Sequence, residues 1–81
     1  MGIQQLVTER IKYLCKMHGY NVNSLANRCG IPATTLKSIV YGRSKNTGIV
    51  TIKLICDGLG ISLFDFFDTP EFKNAEIEDI K

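Results

Sequence analysis

The stretch that decides the fold is Ser24-Leu25-Ala26-Asn27-Arg28-Cys29-Gly30-Ile31-Pro32-Ala33-Thr34-Thr35-Leu36-Lys37-Ser38-Ile39-Val40-Tyr41-Gly42. Ala26 supplies a small side chain where a second helix can cross the first closely. Gly30, four residues on, supplies a backbone at ease with positive φ for the sharp turn between them. Leu25, Cys29, Ile31, Leu36 and Ile39 are spaced to share one core. Together they predict a helix over about Val22 to Cys29, capped by Asn21 and stopped by Gly30, and another over about 32–41. Pro32 suits the start of the latter because a missing N–H costs nothing there.

Such a pair is the helix-turn-helix pattern, in which the second helix is offered to the major groove of DNA. Its angular arrangement supports this. At about 100° per residue, Ala33, Lys37, Tyr41, Thr34 and Ser38 share one side of the helix and Leu36, Ile39 and Val40 share another, with Thr35 between. The polar side holds no acid, whereas an ordinary solvated face usually carries several Glu and Lys. Small residues permit close approach to base edges, hydroxyls donate or accept there, and Thr or Ala methyls can meet thymine.

Outward from this core, Ile3, Leu6, Val7, Ile11 and Leu14 form the apolar stripe of a first helix that Gly19 can end. After Gly42 comes a polar stretch, Arg43 to Gly48. Ile49, Ile52, Ile55, Cys56 and Leu59 then predict a fourth helix, closed by Gly60. Ser62-Leu63-Phe64-Asp65 reads as a capping-box start for a short fifth helix. Phe64, Phe66 and Phe67 cannot all face one small core, so at least one is a candidate dimer contact, together with Phe72, Ile77 and Ile80 of the tail. Equally open is that those tail residues fold back onto their own domain. Strand signals are weak throughout. The expected architecture is all-α, a compact five-helix domain over residues 1–69 followed by an acidic C-terminal tail, 70–81.

Composition agrees with one small globular domain. The chain has 81 residues, 44% of them hydrophobic, and a mean hydropathy of +0.03. This excludes a multidomain enzyme, a repeat array and a transporter. The longest apolar stretch, Ile49 to Cys56, is broken by Thr51 and Lys53 and is too short to span a membrane. Met1–Thr8 lacks a basic run before an apolar region, and Leu6 stands where a myristoylation motif needs Ser or Thr. The expectation is a cytoplasmic protein with no membrane partner. Cys15, Cys29 and Cys56 are odd in number, have no Cys-x-x-Cys spacing, and are joined by a single histidine, His18. They read as small hydrophobes, and His18 as a helix-end residue. No metal, cofactor or catalytic set is expected, and the chain is not read as an enzyme.

Charge is divided along the chain. Residues 1–45 hold Arg10, Lys12, Lys16, Arg28, Lys37, Arg43 and Lys45 against Glu9 alone, whereas residues 46–81 hold three lysines against seven acids. A basic half that meets a polyanion and an acidic half facing elsewhere is the natural reading. Asp65, Asp68, Glu71, Glu76, Glu78 and Asp79 lack the spacing of a calcium loop and read as a solvated acidic run.

Several segments carry a family resemblance: Glu9-Arg10-Ile11-Lys12, Ser24 through Ile31, Ile39 through Asn46, and Leu59-Gly60-Ile61-Ser62-Leu63. They resemble the Cro/repressor, or XRE-type, helix-turn-helix regulators, whose domain is lambda-repressor-like. The likeness covers about residues 6–68. The loop and fourth helix look particularly like small regulators of Gram-positive bacteria and their mobile elements. It implies a bacterial, sequence-specific regulator of transcription that binds double-stranded DNA as a homodimer. Base reading falls to Ala33, Thr34, Thr35, Lys37 and Ser38, with Tyr41 beside them. Phosphate binding falls to Asn23, Ser24, Arg43, Ser44, Lys45 and Asn46.

Three positions depart from the family pattern. Val22 replaces a frequent glutamine. Val40 stands where a partner for Arg10 is usual, leaving Arg10 to phosphate or solvent. The reading face lacks the Gln or Arg that makes bidentate base contacts, so specificity is either modest or leans on DNA shape. Two functions follow: a small dimeric repressor of its own or adjacent genes, or an interaction module. The second would be an antitoxin or adaptor acting through the acidic C-terminal segment with Phe72, Ile77 and Ile80.

Overall fold

The stripe from Ile3 forms helix α1, Ile3–Met17, which buries Leu6, Val7, Thr8, Ile11, Leu14 and Cys15. In this computed structural model, which describes residues 2–75, His18 caps the helix and Gly19 follows at φ 75°. The Tyr20 N–H then returns to the Cys15 carbonyl at 2.9 Å. Helix α2 spans Val22–Cys29, as the sequence predicts. Asn21 accepts from the Ser24 N–H, and the Ser24 hydroxyl accepts in turn from the Asn21 N–H. Helix α3, Ala33–Val40, starts one residue later than expected. Pro32 is its cap, not its first turn, and its carbonyl accepts from Thr35 and Leu36.

Helix α4 is Ile49–Leu59 and α5 is Leu63–Phe67, the latter with the Ser62/Asp65 capping box. A further turn, α6, Pro70–Lys73, lies beyond the expected five helices. Thr69 caps it by accepting from the Phe72 N–H, and Pro70 stands in its first turn, where a missing N–H has no bond to lose. Phe72 lies half-buried on its own domain, its ring 4.9 Å from Phe67 and 6.1 Å from Phe66. The three phenylalanines of the α5 segment separate as their crowding demands: Phe66 is wholly buried, Phe67 is half-buried, and Phe64 is 74% exposed. Glu76, Ile77, Glu78, Asp79 and Ile80 of the acidic tail lie outside the described residues.

One core unites the helices. Ile11, Leu25, Leu36, Ile55, Cys56 and Phe66 are fully buried within it. At its edge α2 and α4 approach closely, with Gly58 against Cys29 and the Arg28 Nε donating to the Gly58 carbonyl. Arg10 is engaged within the domain. Half-buried, it donates from Nε to the Phe66 carbonyl and from Nη2 to the Asp65 carbonyl, both at 2.9 Å. With Val40 in place of a charged partner on α3, the guanidinium instead satisfies carbonyls at the end of α5.

Candidate nucleic-acid interface

The corner between α2 and α3 is built from Gly30 and Ile31. Gly30 adopts φ 70°, a left-handed conformation that ends α2, and the Ile31 N–H closes the turn on the Ala26 carbonyl at 3.0 Å. Ile31 is buried, as are Leu36, Ile39 and Val40 on the inner side of α3. At the far end of α3, the buried Thr8 hydroxyl donates to the Ile39 carbonyl at 3.1 Å. The helix is therefore tied to the body at both ends.

Its other side faces outward. Thr34 and Thr35 are exposed, and Lys37 and Ser38 are half-buried. Ala33 leans partly onto the core and offers a more limited surface than the helical angles suggest. Tyr41 is 61% exposed, and the Arg43 guanidinium sits 5.6 Å from its ring centroid. No acidic residue occurs in the sequence between Glu9 and Asp57, so this surface presents hydroxyls and cations without a competing carboxylate.

The chain then turns at Gly42, φ 74°, into the basic loop. The Arg43 and Ser44 N–H groups both donate to the Ser38 carbonyl, at 2.8 and 3.1 Å. Arg43, Lys45 and Asn46 are exposed and Ser44 is half-buried. Beyond them, Thr47 donates its N–H to Gln4 Oε1, and Gln4 Nε2 donates to Thr47 Oγ1, each at 2.8 Å.

The sequence matches the family model of the Cro/C1-type helix-turn-helix DNA-binding domain over residues 10–71. The chain belongs to that family. It is similar to a solved structure described as the crystal structure of the prophage Lp1 protein 11, at 33% identity and a TM-score of 0.79, over 93% of this chain and 100% of that one. No curated protein matches it. Membership makes the chain a DNA-binding regulator of transcription. No helix among the described residues is long and apolar enough to cross a membrane. Nor do three His, Cys, Asp or Glu side chains among them gather as a metal site.

Two features of this Cro/C1-type domain bear on the residues singled out from sequence. At the start of α2, Asn23 is exposed, but the Ser24 hydroxyl is engaged in the cap, also donating to the Asn21 carbonyl at 3.1 Å. Gln4, Thr8 and Thr47, which shape the interface, were not evident in the sequence. Each acts across more than 30 residues of chain, and no local pattern marks such a contact.

Proposed function

We propose that two copies of this chain bind a near-palindromic operator and repress transcription from it. The observation that carries this reading is the outward, acid-free side of α3, followed directly by the exposed basic loop at 43–46. In this reading Thr34, Thr35, Lys37 and Ser38 meet base edges, with Ala33 and Tyr41 at the margins. Arg43, Ser44, Lys45 and Asn46 hold phosphates. At the start of α2, Asn23 and the backbone N–H groups take a phosphate, with Ser24 acting through its cap.

The second copy has a reason to be there. Phe64, Val50 and Ile49 are 74%, 71% and 58% exposed, and large apolar side chains so open to water favour a partner surface. Two α3 helices about 34 Å apart then read half-sites one turn apart.

Selection from a random duplex library at about 50 mM salt, with the winners re-measured at about 200 mM, tests the reading. Enrichment of a two-fold-symmetric site with affinity falling steeply in salt supports it. No enrichment and no binding at low salt refutes it. Phe64→Glu tests the dimer separately: self-association should weaken while the chain keeps its helical content. An unchanged association constant would exclude Phe64 from the contact.

A further inference from the structure

The basic loop is held at two points. On its first side the Ser38 carbonyl gathers the N–H groups of Arg43 and Ser44. On its second side Gln4, in the first turn of α1, closes a reciprocal pair of hydrogen bonds with Thr47. Lys45 and Asn46 lie between these anchors. There the loop stands off α1 across a cleft of about 360 Å³ lined by Gln4, Gln5, Thr8, Gly42, Ser44 and Lys45. The Gln4 amide fits its task. Its oxygen accepts from a backbone N–H and its nitrogen donates to a hydroxyl on the same residue, so the two bonds fix both the position and the orientation of Thr47.

We infer that Gln4 is a positioning residue for DNA binding, acting through Thr47 to hold Lys45 and Asn46 in the geometry that grips the phosphate backbone. The inference rests on the DNA-binding reading above. Holding the loop in place before DNA arrives removes an ordering cost that binding would otherwise carry. Losing the clamp therefore weakens binding without changing which bases are preferred, because phosphate contacts carry no sequence information.

The test compares the full chain with Gln4→Ala, Thr47→Val and Thr47→Ser. Duplex binding is measured across a salt series on a selected site and on an unrelated sequence, and exchange of the Thr47 amide is followed without DNA. All are measured where every variant is folded. Gln4→Ala and Thr47→Val should bind both duplexes roughly three- to ten-fold more weakly, with the salt slope reduced by up to about 0.9. Gln4→Ala should speed Thr47 exchange while the Leu36 and Ile39 amides stay protected. Thr47→Ser, which keeps the hydroxyl, should restore binding. Should Gln4→Ala unfold the domain, Thr47→Val gives the same reading from the loop side. Wild-type affinity and slope in the folded variants would overturn the role of Gln4 and leave DNA binding intact. A wild-type chain that binds no duplex would overturn both.

Discussion

Gly58 of α4 lies so close to Cys29 of α2 that a Cβ built on it would overlap the Cys29 Sγ and stand 3.3 Å from the Cys29 Cα. Glycine within a helix ordinarily costs about 1 kcal/mol relative to alanine. Here its missing side chain allows the two helices to meet. Gly58→Ala should therefore destabilise the domain by about 1–3 kcal/mol, since the overlap outweighs the gain in helix propensity. Pairing it with Cys29→Ala removes the overlapping sulfur, so thermal unfolding of the four chains should show a coupling of at least about 0.5 kcal/mol. Strict additivity would contradict the contact.

Arg10→Ala should lower stability by about 1–3 kcal/mol, because the Phe66 and Asp65 carbonyls lose a charged donor. DNA affinity of the folded variant should keep its full salt slope. A slope reduced by about 0.9 would instead show that Arg10 touches a phosphate.

Lys37 and Lys45 should separate by kind of effect. Lys37→Ala, on α3, is expected to flatten the preference between selected and scrambled sites. Lys45→Ala is expected to weaken both equally and lower the salt slope by about 0.9. Equal losses on both sites for Lys37→Ala would remove it from the reading surface.

All three cysteines are buried, and burial pushes each thiol above its ordinary value. At Cys29 the nearby Arg28 works against burial without overcoming it. The fold thus favours the neutral thiols. Their contribution is complete below the ordinary thiol pKa and is lost as pH rises through the raised values. Thiol labelling at pH 8 should be slow in the native chain and immediate in denaturant. Native labelling at the unfolded rate would contradict this burial.

Much of the fold is legible in the sequence, because periodicity and end signals are local. Leu25, Ala26, Cys29, Gly30, Ile31, Leu36 and Ile39 identify the α2–α3 corner, and Asn21, Gly60 and Ser62 mark helix ends where the structure has them. What the sequence hides is partnership at a distance. Nothing near Arg10 announces carbonyls 55 and 56 positions away, and nothing near Gln4 announces Thr47. Helical angles place Ala33 with the polar residues, yet it lies partly buried against the core. For Phe72 the sequence leaves a dimer contact and a fold back onto its own domain equally open, and ring packing against Phe67 and Phe66 shows the second.

Thr8 and Gln4 stand four residues apart on α1, one holding the end of α3 and the other the loop beyond it. The side chains proposed to meet bases, Thr34, Thr35, Lys37 and Ser38, stand on a different helix. Support and reading are thus divided between separate sets of residues. On that proposal, a lineage carrying this domain changes its preferred DNA sequence by exchanging a few outward side chains of α3 while the α1 supports stay as they are. The same division makes that surface the place to graft a new specificity onto an unchanged frame.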